Sequence, residues 1–83
     1  MNILYFSWIR EKIGKEKEII SPPSELKTLK ELIFWLTTLS NGHKKAFEDL
    51  TIIRVAVNMQ TANLEDTFST EDEVAFFPPM TGG

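Results

Sequence analysis

Cysteine is absent from the 83-residue sequence, histidine occurs once, and no long apolar run is present. Without cysteine the chain has no disulfide, no thiolate metal site and no cysteine nucleophile. A single histidine, His43, cannot build a multi-histidine metal site, so we expect no bound metal. No apolar stretch approaches the ~20 residues of a membrane span, and no basic segment followed by an apolar block opens the chain. We therefore expect a cytoplasmic protein with no membrane partner.

Basic residues are also in the minority. Nine Lys and Arg stand against twelve Asp and Glu, which gives a formal net charge of -3 and no basic patch of the kind that binds nucleic acid. Most carboxylates of the second half fall in predicted turns and at strand starts, where solvated charge is a better interpretation than a catalytic acid pair; they are Asp49, Glu65, Asp66, Glu71, Asp72 and Glu73. Phosphate-binding loops, dinucleotide fingerprints and nucleophile elbows are absent. We expect no multistep catalysis by this chain alone.

The sequence does contain a series of short β-strand patterns. Strands are predicted over residues 2–8, 51–57 and 73–77, which are rich in branched and aromatic residues, and over the charged segment 15–20. In the first strand, alternation places Ile3, Tyr5 and Ser7 on the face opposite to Leu4, Phe6 and Trp8. A helical turn over 9–13 that stops at Gly14 allows the first two strands to pair as a hairpin. Residues 58–63 and 67–72 are predicted turns, with a short strand near Leu64.

The clearest local pattern is a helix over about residues 28–40. Thr28 and Glu31 form a capping box at its start, and Asn41-Gly42 is predicted to end it. Apolar side chains recur at helical spacing and form one stripe, comprising Leu29, Leu32, Ile33, Leu36 and Leu39. Residues 43–50 are too short and polar for a second long helix. His43 is expected just beyond the helix end, near its last carbonyl groups.

This order of two strands, one helix and further strands predicts an α+β protein with the β-grasp, or ubiquitin-like, fold. A mixed sheet of four or five strands would cover the single apolar stripe of the helix. The sequence divides into a β-grasp domain at residues 1–77 and a flexible tail at 78–83. The boundary follows from Pro78, which cannot donate to a sheet ladder.

The tail reads Pro78-Pro79-Met80-Thr81-Gly82-Gly83 and is the candidate functional segment. Phe76 and Phe77 alternate across the preceding strand, so one is expected in the core and the other on the open face. The two prolines favour an extended conformation, and six extended residues reach about 20 Å. The terminal glycines carry no Cβ, so they fit a narrow channel on another protein and leave the carboxylate of Gly83 unshielded.

Three stretches resemble the small-subunit family of molybdopterin synthase, the MoaD family of β-grasp sulfur carriers. These stretches are residues 5–11 with Gly14, residues 54–58, and residues 72–83, which match the terminal signature of the family. Together with a similar length and order of elements, the resemblance covers nearly the whole chain. The resemblance implies that Gly83 is the reactive residue, as the carrier of an acyl adenylate and then of a thiocarboxylate. It also implies that residues 78–82 insert into a partner, and that Phe76, Phe77 and Arg10 contribute to docking.

The resemblance also implies which partners the chain has. An E1-like adenylating enzyme would use ATP and Mg²⁺ to activate the Gly83 carboxylate, so the chain itself would hold no permanent cofactor. A persulfide sulfur donor would then displace AMP. The large subunit of molybdopterin synthase would receive the tail and pass its sulfur to cyclic pyranopterin monophosphate. Two such transfers would build the molybdopterin dithiolene, in a heterotetramer with a large-subunit dimer at its centre.

Three other functions remain open from the sequence. A related β-grasp carrier could supply sulfur for thiamine or for tRNA thiolation, although the segment Phe76-Phe77-Pro78-Pro79 argues against this alternative. A ubiquitin-like modifier could join Gly83 to a target lysine, with the same activation and a different acceptor. A passive interaction module would make no use of the glycines.

Overall fold

The computed structural model describes residues 1–79. Its elements in chain order are β1 (Asn2–Tyr5), α1 (Ser7–Ile13), β2 (Lys17–Ile19), α2 (Leu29–Leu36), α3 (Asn41–Ala46), a 3₁₀ turn (Leu50–Ile52), β3 (Arg54–Val57), β4 (Gln60–Ala62) and β5 (Glu73–Phe77). These five strands form one sheet in the order β2-β1-β5-β3-β4. β1 and β5 run parallel, whereas the other neighbours are antiparallel. The predicted α+β, β-grasp architecture with a mixed sheet is confirmed.

The core lies between one face of this sheet and α2. Val74 and Phe76 of the central strand β5 are fully buried, and they pair in register with Ile3 and Tyr5 of β1. Four fully buried side chains of α2 cover this layer, namely Leu29, Leu32, Ile33 and Leu36. Burial of each such side chain stabilises the fold by roughly 1.5–3 kcal/mol. The helix stripe and the strand alternation therefore meet in a single core.

The start of α2 agrees with the sequence prediction, but its end does not. Thr28 accepts a hydrogen bond from the backbone N–H of Glu31, and the Glu31 carboxylate accepts one from the backbone N–H of Thr28. The helix ends at Leu36 rather than near residue 40, and Leu39 is 41% exposed instead of completing the stripe. The hydroxyl groups of Thr37 and Thr38 donate to backbone carbonyls three residues earlier, each at 2.6 Å. These local bonds compete with continuation of the helix.

Asn41-Gly42 begins α3 instead of ending α2, which corrects the prediction for this dipeptide. The side chain of Ser40 accepts a hydrogen bond from the backbone N–H of His43 and so caps the new helix. Gly42 is required by the close approach of α3 to α1. A Cβ at position 42 would lie 2.4 Å from the backbone carbonyl oxygen of Lys12.

Strand bounds near turns also differ from the predictions. The strand expected over residues 51–57 begins only at Arg54, because residues 50–52 form a 3₁₀ turn. The first strand ends at Tyr5 instead of Trp8, because Ser7 has a left-handed backbone (φ 55°) that turns the chain into α1. Ile3 and Tyr5 share one face of the strand as predicted and lie in the core, whereas Ser7 is exposed. The C-terminus of α1 at Gly14 (φ 85°) and the antiparallel pairing of β2 with β1 are confirmed.

The predicted turn over residues 58–63 contains a strand. Asn58 and Met59 both have left-handed backbones (φ 50° and 70°), and together they form a two-residue hairpin turn between β3 and β4. Such a turn matches the natural twist of the paired strands. Val57 consequently pairs with Gln60. A short strand was expected near Leu64, but Leu64 lies in a connecting segment and packs against the core.

A partly buried chain of polar groups joins α3, β2 and β1. The Tyr5 hydroxyl donates to Oε2 of Glu18 at 2.6 Å, and His43 Nε2 lies 2.7 Å from the same oxygen. Since a carboxylate only accepts, the Nε2 atom carries a proton, and His43 Nδ1 lies 2.7 Å from the Ser40 hydroxyl. His43 thus lies buried inside α3, rather than beyond a helix end as the sequence suggested.

The pKa values of two members of this chain depart from their ordinary values. Burial, together with the hydrogen bond to Glu18, raises the pKa of Tyr5, so the phenol stays protonated. Burial alone would raise the pKa of Glu18, but hydrogen bonds from Tyr5 and His43 outweigh it and hold that pKa below its ordinary value. The edge strand β2 is therefore fastened to the body by an ionised carboxylate with satisfied oxygens.

None of the helices described within residues 1–79 combines the length and apolar composition that a bilayer span requires.

We predict that Gly42→Ala lowers the free energy of unfolding by about 1–3 kcal/mol, because the new methyl group would clash with the Lys12 carbonyl and push α1 away from α3. Equilibrium urea denaturation measures this change. The control is Asn41→Ala at the exposed neighbouring position, for which we expect a change within about 0.5 kcal/mol. Equal stabilities of G42A and the wild type would contradict the close approach.

Candidate functional site

The site is built on β5, because this strand leads directly into the tail. Phe76 is fully buried, with its ring 6.3 Å from that of Tyr5 and 5.1 Å from that of Phe47. Phe77 is half-buried and faces the opposite side of the sheet. The prediction that one phenylalanine lies in the core and the other on the open face is therefore confirmed. The buried ring fixes the strand, and the other ring is available at the surface.

The open face of the sheet carries an apolar depression of about 600 Å³. Its floor is formed where Leu4 of β1, Ala75 of β5 and Ala56 of β3 lie side by side in register. The two alanines leave space that larger side chains would fill. The rim is formed by the remaining lining residues, namely Phe6, Ser7, Met59, Glu73, Phe77, Pro78 and Pro79. We call this feature the β5 depression.

The tail leaves the body of the domain at this depression. Pro78 and Pro79 are half-buried and line its rim, directly after the last paired residue of β5. Met80, Thr81, Gly82 and Gly83 lie outside the described residues. Their expected roles in insertion and sulfur transfer, and the division into a domain and a flexible tail, therefore stay predictions.

The three residues predicted to dock a partner do not lie together. Phe77 lines the β5 depression, whereas Phe76 is in the core and presents no surface to a partner. Arg10 is exposed on α1, one helical turn after Phe6 and Ser7 of the rim. Docking roles for Phe77 and Arg10 stay predictions. For Phe76 the structure shows an anchoring position beneath the site.

Sequence reasoning missed most of the depression. It placed Leu4 and Phe6 on the second face of the first strand, but it did not identify them as a surface for a partner. Ala56 and Ala75 carried no signal, because their adjacency depends on which strands pair. Met59 fell within the predicted turn over residues 58–63 and was not identified as a surface residue of the site. The exposure of two large apolar side chains, Phe6 at 46% and Met59 at 91%, is visible only in the folded chain.

Charged groups near the start of β5 stabilise turns. Asp72 accepts hydrogen bonds from the backbone N–H of Ser69 and from the Asn58 side chain. Asp66 accepts one from the backbone N–H of Asn63. Within the described residues no group of three or more histidines, aspartates or glutamates is arranged to hold a metal ion. Asp72 thus holds the turn at the end of the sheet opposite to the tail, and Asp66 holds the loop that follows β4.

Comparison with known proteins places these features in a family. The model of the ThiS family matches residues 3–83. A relative from Escherichia coli, named "Molybdopterin synthase sulfur carrier subunit", is 30% identical over 83 residues, which cover 100% of this chain and 99% of the relative.

Solved structures share the fold over the full length. The structure of SAMP1 from Haloferax volcanii superposes with a TM-score of 0.73 at 24% identity and covers 100% of this chain and 98% of that protein. A chain in the complex of subunits 1 and 2 of molybdopterin-converting factor from Helicobacter pylori gives a TM-score of 0.63 at 25% identity, covering 99% of this chain and 96% of the other. The first likeness shows the β-grasp fold, and the second comes from a two-subunit assembly.

We predict that Phe76→Ala and Phe77→Ala differ strongly in their effect on stability. Loss of the buried Phe76 ring should lower the free energy of unfolding by about 3–5 kcal/mol, because its cavity adjoins the rings of Tyr5 and Phe47. Loss of the half-buried Phe77 ring should cost about 1 kcal/mol. Urea denaturation of both variants measures the difference. Equal losses would mean that the two rings do not occupy opposite faces.

Proposed function

The chain belongs to the ThiS family, and on this basis we propose that it is a sulfur carrier subunit of a molybdopterin synthase. The observation that supports this proposal most is the end-to-end similarity to the Escherichia coli carrier subunit. The structure adds a strand that ends at an apolar depression and leads into a tail with two terminal glycines.

In the proposed reaction the reactive group is the carboxylate of Gly83. A carboxylate resists nucleophilic attack, so an E1-like enzyme would first join it to the α-phosphate of ATP, with Mg²⁺ present and pyrophosphate leaving. A persulfide sulfur would then attack the acyl carbon, AMP would leave, and reduction of the resulting acyl disulfide by a thiol would give the thiocarboxylate. Glycine at this position leaves the acyl carbon open to each attacking group.

The thiocarboxylate would then donate its sulfur to cyclic pyranopterin monophosphate within the large subunit. In this proposal the large subunit supplies the acid, the base and the substrate-binding groups. The present chain supplies the reactive C-terminal group and positions it for the large subunit. The strand β5 serves this purpose because it is paired on both sides through Phe76 and with β3 through Phe77. Its fixed end restricts where the tail can reach.

We further propose that the large subunit covers the β5 depression. Apolar walls and two small floor residues form a surface that an apolar segment of a partner can fill, and burial there would be favourable. The tail begins at the rim, so a partner that receives the tail meets this surface first. The Helicobacter pylori complex shows that a related chain assembles with a second subunit.

One prediction of the proposed function concerns the end of the chain. Removal of Gly83, or addition of one C-terminal alanine, should abolish molybdopterin formation in a reconstituted system containing the activating enzyme, a sulfur donor and the large subunit. The physical reason is that the activated carbon is lost or displaced by one residue. Both variants should unfold at the wild-type urea concentration, because the tail lies beyond the last paired residue.

Intact mass measurement separates the competing functions. Protein purified from its own host should contain a fraction heavier by one oxygen-to-sulfur exchange at Gly83. A series of covalent protein conjugates would support a modifier instead, and thiocarboxylate that is consumed only with a thiamine or tRNA acceptor would support another carrier pathway. Full activity of the Gly83 deletion would refute the proposal.

Another prediction of the proposed function concerns the β5 depression. Phe6→Ala should weaken binding to the large subunit by about tenfold or more, because Phe6 is a large apolar rim residue. Phe34→Ala is the matched control, since Phe34 is also an exposed aromatic (54% against 46%) but lies on α2. Its affinity should stay within about twofold of wild type. Calorimetric titration measures both, and equal affinities for the two variants would exclude this face as the interface.

A further inference from the structure

Met59 is the most exposed large apolar side chain described in residues 1–79. Its exposed fraction is 91%, and it lies on the rim of the β5 depression at the tip of the hairpin between β3 and β4. A single exposed apolar residue is ordinary and indicates no function by itself. The conformation of Met59, rather than its exposure, separates it from the other exposed apolar residues.

The backbone of Met59 lies in the left-handed region, with a φ of 70°. Side chains with a Cβ adopt this region at a conformational cost, and glycine is the usual residue at the second position of such a hairpin turn. Asn58, at the first position, tolerates the same region. The Met59 side chain lies almost entirely in solvent, so hydrophobic burial in the free chain offsets little of this cost.

The turn that carries Met59 is held rigidly against β5. The backbone N–H of Asn58 donates to the Glu73 carbonyl at 2.8 Å, and the Asn58 amide donates to Asp72 at 3.0 Å. The backbone N–H of Glu73 in turn donates to the side-chain oxygen of Asn58 at 3.0 Å. Because these hydrogen bonds already hold the turn, its backbone loses little further freedom when a partner binds the Met59 side chain.

We infer that Met59 is an anchor residue for the large subunit, maintained at a cost to the stability of the free chain. This inference rests on the proposed function. The matching feature on the partner is an apolar pocket next to the surface that covers Ala56 and Ala75, because the rim position of Met59 adjoins that floor. The flexible thioether side chain suits a pocket of irregular shape.

Three substitutions at this position separate the side chain from the turn. Met59→Gly should raise the urea midpoint of the free chain, because it relieves the left-handed strain, and should weaken binding to the large subunit about tenfold or more. Met59→Ala should weaken binding equally without raising the midpoint. Met59→Leu, which keeps apolar bulk, should bind within about threefold of wild type.

Calorimetric titration with the large subunit and urea denaturation of each free variant supply the two readouts. If the wild type binds and Met59→Gly binds equally well, the anchor is overturned while the proposed function stands. If Met59→Leu binds as weakly as Met59→Ala, apolar bulk is not what the partner recognises, and the anchor is likewise overturned. Failure of the wild-type chain to bind the large subunit overturns the proposed function and the anchor together.

Discussion

The structure depends on the pairing of β5 on both of its sides. β1 binds it in parallel and β3 binds it antiparallel, so the last strand of the chain lies at the centre of the sheet. Its buried face, carrying Val74 and Phe76, completes the core beneath α2. Its open face, carrying Ala75 and Phe77, forms part of the β5 depression. One strand therefore closes the fold and also determines where the tail leaves it.

The open face carries features that do not favour the isolated chain. Phe6 and Met59 expose apolar surface to water, and Ser7 and Met59 hold left-handed backbones without being glycine. A chain of 83 residues buries a modest fraction of its surface on folding and has little stability in excess. Strain and apolar exposure on the same rim are typical of a surface that another molecule covers. On the opposite side of the sheet the core is continuous, and the buried polar side-chain atoms described there all have hydrogen-bond partners.

Local patterns predicted a large part of the fold. The capping box at Thr28, the bounds of β5 and the turn at Gly14 each depend on a few neighbouring residues, and each prediction was confirmed. The break between α2 and α3 was missed, because the hydroxyl of Ser40 begins a new helix where a Gly in the sequence suggested the end of the old one. His43 was misplaced for the same reason, and its bond to Glu18 spans 25 residues. The strand β4 was missed because two non-glycine residues formed a turn that usually contains glycine.

The sequence by itself determined the fold class and the alternation that sends Phe76 and Phe77 to opposite faces. These properties follow from composition, from a period of two along a strand and from the order of the elements. Only the tertiary structure decided which face residues meet: Leu4, Ala75 and Ala56 become neighbours across three strands that are far apart in the chain. The physical reason is that strand register is fixed by burial of the core face, and the composition of the open face is its consequence.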